Sequence, residues 1–137
     1  MDNCIFCKII NGEIPSYTIY EDAHSYAFLD IFPVNTGHVL VIPKTHSKDF
    51  LDMEDDDLKN VIIATKKVAK AVMNATHADG FNVGMNNAPA AGQVVFHAHF
   101  HIMPRFRDDG YSLWKGKQHT KEEMEAVHAS ILRELKK

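Results

Sequence analysis

Three histidines alternate with apolar residues in the segment 94–104, whose sequence is VVFHAHFHIMP. The histidines stand at positions 97, 99 and 101, and the apolar residues around them are Phe96, Ala98, Phe100 and Ile102. A period of two is typical of a β-strand, on which successive side chains point to opposite faces. The sequence therefore predicts a strand whose apolar face joins a core and whose other face carries a column of imidazoles.

Folding alone gives no reason for a column of imidazoles, and affinity tags are consecutive and terminal rather than alternating. Two functional interpretations remain open at this point. One is a metal site built from alternate residues of a strand, and the other is an acid–base and nucleophilic cluster around a phosphate. Neighbours on one face of a strand are about 6.5–7 Å apart, so the three rings can serve different partners.

The size and charge of the chain exclude several classes of protein. Its 137 residues are enough for one domain with an ordinary core, and a hydrophobic fraction of 45% is typical of a globular protein. A formal net charge of −3, without a basic stripe, argues against a nucleic acid polymer as partner. The N-terminal sequence MDNCIFCK lacks the features of a signal peptide, and no apolar run reaches membrane-spanning length. We therefore expect a cytoplasmic protein with no membrane partner.

Both cysteines of the chain lie in one Cys-x-x-Cys motif, Cys4 and Cys7. A disulfide is disfavoured because nothing points to secretion, and a redox motif would be expected between a strand and a helix. Two free thiols packed in the core are a further alternative. The spacing favours half of a tetrahedral zinc site, which histidines elsewhere in the chain can complete.

Hydrophobic periodicity and turn residues predict the order of helices and strands. A short helix is expected over 4–11, and strands over 17–20, 25–31, 38–43 and 81–85, before the histidine strand. Apolar residues at three-and-four spacing over 58–73 predict one long helix behind the acidic run 54–57. Thr120 and Glu123 match a capping box at the start of a last helix. The expected class is α+β: a five-stranded, largely antiparallel sheet with one long helix and short N- and C-terminal helices.

Four segments carry a resemblance to a known family. They are CIFCKII at 4–10, AFLD at 27–30, GHVLVIPK at 37–44 and FHAHFHIMP at 96–104. In this order they resemble the blocks of the histidine-triad family, and most closely its prokaryotic, Hint-like nucleotide hydrolase branch. The resemblance spans 4–105. We take that range as the core of a single domain, 1–137, in which 106–137 is a C-terminal extension that contains the last helix.

The resemblance implies a homodimeric hydrolase that cleaves at the α-phosphorus of purine nucleoside phosphoramidates, or of related adenylated compounds, through a nucleotidyl-histidine intermediate. The alternatives are a dinucleoside polyphosphate hydrolase and a nucleotide-binding or interaction module with incidental catalysis. His99 corresponds to the nucleophile, His101 contacts the phosphate or the leaving group, and His38 belongs to the same cluster. No catalytic metal is required.

The same resemblance implies a purine nucleotide site of the AMP or GMP type. Asp30 receives the ribose hydroxyls, and the base and sugar pocket is formed by Phe6, Ile9, Ile14, Phe28 and Leu40. The other implied nucleotide-binding positions are Asn86, Gly92, Gln93 and Val94, of which Asn86 and the backbone at Gly92 and Val94 hold the phosphate. The chain departs from the family at Val94, where a serine is usual, so a hydroxyl donor to the leaving group is missing.

Several prokaryotic members of the family hold a structural zinc ion, and the matching positions in this chain are Cys4, Cys7, His46 and His97. The resemblance therefore implies a closed Cys₂His₂ site in which His97, at one end of the histidine column, turns away from the phosphate.

Overall fold

The computed structural model describes residues 3–137 and contains one sheet with three helices. The helices are α1 (Ile5–Ile10), α2 (Asp55–Thr76) and α3 (Lys121–Leu135). The strands are β1 (Thr18–Glu21), β2 (Ser25–Leu29), β3 (Val39–Pro43), β4 (Gly80–Gly84) and β5 (Phe100–Arg105), with a 3₁₀ turn at Pro89–Ala91 between β4 and β5. The predicted α+β class and five-stranded sheet are confirmed.

The strand order in the sheet is β1-β2-β3-β5-β4, and every neighbouring pair is antiparallel. Strands β1 to β3 form a meander, after which α2 carries the chain across the sheet to β4 at the far edge. The chain then returns through β5, which fills the place between β3 and β4. This topology puts the histidine segment beside β3, the strand that follows His38.

The two faces of the sheet carry different clusters of buried side chains. On one face α2 packs against alternate residues of the central strands, including Val39, Val41, Phe100 and Ile102. On the other face α1 contributes Phe6 to a smaller cluster whose other buried members are Tyr26, Phe28, Leu40 and Ile42. Because β3 is buried on both faces, its residues form the almost continuous apolar run that the sequence shows.

The long helix α2 extends three residues further at each end than the apolar positions 58–73 that predict it. Three aspartates, Asp55, Asp56 and Asp57, occupy its first turn, where negative charge interacts favourably with the helix dipole. Its buried residues are Val61, Ala64, Thr65, Val68, Ala69 and Val72. Ile62 belongs to the predicted apolar stripe but is 44% exposed, because the stripe is wider than the part that faces the sheet.

The predicted extent of the histidine strand is wrong at its start. Strand pairing begins only at Phe100, so His97 and His99 precede β5 rather than lying in it. The backbone of this segment is instead fixed by other contacts, among them the N–H of Ala98, which donates to the carbonyl of Ser47 at 2.7 Å. Phe96 was expected in the core and is 43% exposed, since the alternation of buried residues begins only at Ala98.

The C-terminal extension contains the predicted capping box, in which Thr120 and Glu123 cap each other at the start of α3. Before it, the guanidinium of Arg105 holds the turn at 106–110 through two bonds to the carboxylate of Asp109. The apolar stripe of α3 faces solvent in the single chain, and its members, which are 44–76% exposed, are Met124, Val127, Ile131, Leu132 and Leu135. Within residues 3–137, no helix has the length and apolar character needed to cross a membrane.

Candidate functional site

A row of four positions crosses one face of the sheet and defines the site. Phe28 on β2 pairs with Leu40 on β3, Leu40 pairs with His101 on β5, and His101 pairs with Gly84 on β4. Directly paired residues of antiparallel strands place their side chains on the same face. His101 therefore lies between an apolar half of the row, toward β2, and a position without a side chain, toward β4.

Gly37 fixes the backbone immediately before His38. Its φ of +91° lies in the left-handed region, and a Cβ atom there would lie 2.6 Å from Cγ2 of Thr76 on α2. Glycine is therefore required both by the turn and by the close approach of the helix. The carbonyl of the next residue, His38, accepts a bond from the N–H of Asp30 at 2.9 Å, which brings these two candidate site residues together.

The hydrogen bonds of His38 and His101 determine which of their nitrogens carries a proton. Nδ1 of His38 accepts from the backbone N–H of Val34 at 3.0 Å, so a neutral His38 carries its proton on Nε2. That Nε2–H donates to Nδ1 of His101 at 2.9 Å. A neutral His101 must then carry its proton on Nε2, which is buried without a hydrogen-bond partner. These two hydrogen bonds leave one N–H donor, on Nε2 of His101, without a partner.

His99 has the opposite tautomer. Its Nδ1 lies 2.7 Å from the backbone carbonyl of His97, and because a carbonyl can only accept, Nδ1 carries the proton. The lone pair of His99 is therefore on Nε2. The ring packs edge-on against Phe6, with centroids 5.1 Å apart, and lies 5.0 Å from the ring of His101. These contacts place the ring of His99, with its lone pair on Nε2, next to the ring of His101.

Burial favours the neutral form of all three rings of this cluster. Burial lowers the pKa of His101 to about 4, and the neighbouring rings of His99 and His38 act in the same direction. Burial also lowers the pKa of His38 and of His99, although Asp30 opposes the change at both. Desolvation penalises the imidazolium, so each ring keeps the single proton that its hydrogen bonds assign.

The predicted base and sugar residues lie mostly together on this face. Phe6, Phe28 and Leu40 are buried in one cluster, and Ile9 packs against it in a partly buried position. Ile14 is half-buried and lies outside that cluster; its backbone N–H donates to the carbonyl of Lys8. The carboxylate of Asp30 accepts from the N–H of Phe32 at 2.8 Å, and its other oxygen lies 3.6 Å from Nε2 of His38.

The residues predicted to hold the phosphate differ in their surroundings. Asn86 is half-buried and lines a cavity together with His38 and His101. Gly92 is exposed with a φ of +93°, and Val94 is 84% exposed. The side chain of Gln93 is buried and bonds to the backbone of Ala88, Lys48 and Val95, so only its backbone is free for a ligand.

The four predicted zinc ligands come together in one cluster between α1 and the segment before β5. Nε2 of His97 lies 2.8 Å from the carbonyl of Pro43, so that nitrogen carries the proton and Nδ1 has the lone pair. This Nδ1 faces the sulfur of Cys4 at 3.4 Å, the sulfur of Cys7 at 3.5 Å and Nδ1 of His46 at 3.2 Å. The ligand atoms all lie within 4.8 Å of one another.

The spacing of these atoms fits a tetrahedral zinc ion. Zn–S bonds of about 2.3 Å and Zn–N bonds of about 2.0 Å place sulfur and nitrogen ligands about 3.5 Å apart and two nitrogens about 3.3 Å apart. Burial and the neighbouring Cys4 raise the pKa of Cys7 to about 11, so in the absence of a cation this thiol keeps its proton. A bound cation reverses that preference because it stabilises the thiolate.

Sequence reasoning missed the backbone groups that assign the tautomers. The carbonyls of Pro43 and His97 and the N–H of Val34 each fix one imidazole, and no side-chain pattern indicates them. It also missed that Asp30, His38 and His101 form a second group of potential metal ligands. In this group Nε2 of His38 bonds directly to Nδ1 of His101, so each of these nitrogens has a partner without a metal.

Comparison with known proteins adds a family. The model of the HIT domain family matches residues 11–108. An uncharacterized HIT-like protein of Methanocaldococcus jannaschii is 54% identical over 78% of this chain and 82% of its own length. The adenosine 5'-monophosphoramidase of Saccharomyces cerevisiae is 40% identical over 96% of this chain and 82% of its own length.

Solved structures give the same result for the fold. A protein of Streptococcus mutans superposes with a TM-score of 0.92 at 39% identity and covers 100% of this chain and 87% of its own. A zinc-bound histidine triad family protein from Mycobacterium smegmatis has a TM-score of 0.77 at 36% identity, covering 98% of this chain and 96% of its own.

Proposed function

This chain belongs to the histidine-triad (HIT) family, and we propose that it is a nucleotide hydrolase that cleaves at the α-phosphorus of purine nucleoside phosphoramidates. The observation that carries the proposal is the pairing of two opposite tautomers. His99 has a free lone pair on Nε2, and His101 has a free N–H donor on Nε2 beside it. The name of the yeast relative, adenosine 5'-monophosphoramidase, supports the same substrate class.

The chemistry runs in two steps. Nε2 of His99 attacks the α-phosphorus, a bond from phosphorus to His99 forms, and the bond from phosphorus to the leaving nitrogen breaks. The leaving nitrogen takes a proton from solvent and departs as an amine. Water then attacks phosphorus, the bond to His99 breaks, and the nucleoside monophosphate leaves as a proton returns to solvent. Two displacements at phosphorus replace one difficult attack by water.

The charge that develops on the phosphate is met by preplaced donors rather than by a metal. Nε2–H of His101 is buried without a partner and gains one when a nonbridging oxygen arrives. The side chain of Asn86 and the backbone at Gly92 and Val94 supply further donors under this proposal. Asp30 accepts from the ribose hydroxyls, and Phe6, Ile9, Ile14, Phe28 and Leu40 contact the base and sugar.

We also propose a structural zinc ion held by Cys4, Cys7, His46 and His97. The ligand spacing supports it, as does the zinc-bound relative from Mycobacterium smegmatis. Because the carbonyl of His97 accepts from His99, this ion would stiffen the residue that orients the nucleophile. Its role is to hold α1 and the histidine segment together, not to touch the substrate.

A nucleotide-binding or interaction module with incidental catalysis is the second candidate function. The observation that favours it is Val94, an apolar residue with 84% exposure at the position where the family usually has a serine. Without that hydroxyl the leaving group loses one donor. The two candidates predict different consequences for removal of the nucleophile.

A homodimer is part of the proposed function. Strand β4 lies at one edge of the sheet, so one side of its backbone faces away from the sheet. Phe81 and Val83 on this strand and Ile62 on α2 are 44–46% exposed and border a shallow cavity of about 500 Å³. An exposed edge strand beside an apolar helix face is well suited to pairing with a second copy about a twofold axis.

The test of the enzymatic proposal is His99→Ala, assayed with adenosine 5'-phosphoramidate in the zinc-loaded protein. The variant loses the attacking nitrogen, so turnover is expected to fall at least about a thousandfold. AMP binding, measured by calorimetry, is expected to remain within a few-fold because the pocket is unchanged.

His24→Ala is the matched control, since His24 is exposed on the turn between β1 and β2 and is expected to keep full activity. Equal turnover by His99→Ala and the unmodified chain would contradict a nucleotidyl-histidine intermediate. Retained AMP binding with negligible turnover in the unmodified chain would favour the interaction module.

A further inference from the structure

We propose that Asn35 and Asp109 are positioning residues for the proposed reaction. Together they hold the loop between β2 and β3 in the place where the backbone N–H of Val34 reaches Nδ1 of His38. That contact sets the tautomer of His38 and, through it, the tautomer of His101. The inference rests on the proposed function and adds to it two residues that act through His38 rather than on the substrate.

The side chain of Asn35 anchors the loop 31–37. Within the part of the chain that the structure describes, both hydrogen bonds that tie this loop to anything beyond its two flanking residues come from that side chain. Its Nδ2 donates to the carbonyl of Pro104 on β5 at 2.9 Å and to Oδ2 of Asp109 at 3.0 Å. Both N–H groups of the amide are thus used, and they attach the loop to β5 and to the turn that follows β5.

The backbone of the same loop contacts His38 at two points. The carbonyl of Asn35 accepts from the N–H of His38 at 3.1 Å, and the N–H of Val34 donates to Nδ1 of His38 at 3.0 Å. The main chain and the ring of His38 are therefore bonded to two consecutive residues of the loop. A displaced loop would alter both contacts, and the N–H of Val34 is the group that assigns the proton of His38 to Nε2.

The carboxylate of Asp109 is a well-bonded anchor. Its side chain is 7% exposed, and its two oxygens accept five hydrogen bonds from N–H groups. Besides Asn35, the donors are Nε and one terminal nitrogen of Arg105 and the backbone N–H groups of Phe106 and Tyr111. The bonds from Arg105 and from these two backbone groups hold the pKa of Asp109 well below its usual range, so the side chain stays an acceptor.

Asp109 lies in the C-terminal extension, 106–137, and connects that extension with the histidine cluster. Without its carboxylate the side chain of Asn35 would keep one anchor, the carbonyl of Pro104. The extension therefore contributes to the site by fixing the loop beside His38, and it does so without adding a group that contacts phosphorus.

The test measures the ¹⁵N chemical shifts of the rings of His38 and His101 without substrate, and kcat for adenosine 5'-phosphoramidate, in the full zinc-loaded chain. Asp109→Ala removes the acceptor for Asn35, so both neutral tautomers of His38 become populated. The expected fall in kcat is about tenfold, with AMP affinity unchanged within about threefold.

Asp109→Asn is the conservative variant. With its one oxygen in the place of Oδ2 it still accepts from Asn35, and that orientation keeps three of the five bonds of the carboxylate. The tautomer of His38 and kcat are therefore expected to remain close to those of the unmodified chain. A role through charge alone would lower kcat in Asp109→Asn and Asp109→Ala alike.

Asn35→Ala tests the other partner of the same hydrogen bond and should give the same mixture of tautomers. The double variant with Asp109→Ala should be about as slow as Asn35→Ala alone, since the two residues act as a unit. Asp22→Ala is the matched control, because its carboxylate also holds a turn, the one between β1 and β2, through three hydrogen bonds. It should lower the thermal midpoint while kcat and the ring shifts of His38 stay unchanged.

Two results would overturn the inference. One is a pair of variants, Asp109→Ala and Asn35→Ala, that have lower thermal midpoints but unchanged ring shifts of His38. The other is an equal loss of kcat in Asp109→Ala and Asp109→Asn. If the ring shifts changed as expected but the unmodified chain turned over no phosphoramidate, the proposed function alone would fail, because the shifts are measured without substrate.

Discussion

Nε2 of His38 lies 2.9 Å from Nδ1 of His101, and this contact leaves His101 with its proton on Nε2, which is buried without a hydrogen-bond partner. The arrangement depends on Val34, whose backbone N–H donates to Nδ1 of His38. The proton of His38 must then be on Nε2, and His38 is the donor in its hydrogen bond to His101. His38 thus acts on the phosphate through His101. It is a positioning residue that determines the tautomer of its neighbour.

Replacing His38 by alanine is therefore expected to impair catalysis without removing any proposed contact to phosphorus. Nδ1 of His101 loses its donor, both neutral tautomers become populated, and kcat is expected to fall about 10- to 100-fold. Two measurements check this: steady-state kinetics with adenosine 5'-phosphoramidate, and ¹⁵N chemical shifts of His101, which report the tautomer directly. A drop in kcat with an unchanged His101 tautomer would refute the positioning role.

The depressed pKa of His101 predicts a loss of stability in mild acid. In the unfolded chain a histidine titrates near 6.5, whereas burial lowers the pKa of His101 to about 4 in the folded protein. Between these two values the unfolded state binds a proton that the folded state does not bind. The stabilising contribution is therefore complete above 6.5 and is lost as the pH falls through 4.

From pH 7 to pH 5 this single group is expected to reduce the free energy of unfolding by roughly 1–2 kcal/mol. Urea unfolding of the chain and of His101→Asn at both pH values measures the effect, because the variant lacks the titrating ring and should have the shallower pH dependence. Parallel pH dependence in the two proteins would show that His101 does not titrate in this window.

The zinc cluster predicts one bound ion for each chain in native mass spectrometry of the purified protein. Chelation is expected to lower the thermal midpoint by about 10 °C or more, since the proposed ion would hold Cys4, the N-cap residue of α1, and Cys7 of α1 against His46 and His97. His97→Ala should produce a similar loss of stability. His24→Ala, which alters an exposed ring, should leave the midpoint unchanged.

A metal-free protein with an unaltered midpoint after chelation would exclude the structural ion. Measurement of kcat and of AMP affinity tests the same site independently. Because the carbonyl of His97 holds Nδ1–H of His99, removal of the ion is expected to reduce kcat more than AMP affinity.

The sequence predicted the sheet and the long helix because these depend on hydrophobic periodicity. The alternation around His99 and His101 persists in the folded chain, as Ala98, Phe100 and Ile102 join the core on the opposite face. The family resemblance connected residues from distant segments, such as Cys4 and His97. In the folded chain the sulfur of Cys4 lies 3.4 Å from Nδ1 of His97.

Other features could not be predicted because they depend on what lies beside the chain in three dimensions. The alternation of apolar residues predicts that Phe96 faces the core, but it does not predict where strand pairing begins. Pairing begins at Phe100, and Phe96, which precedes the strand, is exposed. The apolar spacing of α3 predicts a helix correctly, but it does not tell which surface covers Ile131 or Leu135. Tautomers depend on backbone groups such as the carbonyl of Pro43, which carry no signal in the sequence.

The proposed homodimer makes the β4 edge and its apolar surroundings the most sensitive place for an added charge. Phe81 on β4 is 46% exposed and borders the shallow cavity together with Ile62 and Val83. A stable interface buries about 800 Å² on each partner, and a carboxylate at its centre would be buried without a counter-charge. Phe81→Glu is therefore expected to convert a dimer into a monomer at micromolar concentration in analytical ultracentrifugation.

Leu51→Glu is the matched control for this dimer test, because it also replaces an apolar residue by an acidic one. Leu51 is 90% exposed and lies away from β4, in the loop before α2. This substitution should leave the mass unchanged. If Phe81→Glu sedimented as a dimer of the same affinity as the unmodified chain, the subunits would have to meet elsewhere. The apolar stripe of α3 would then be the next surface to test, with Ile131→Glu as the corresponding substitution.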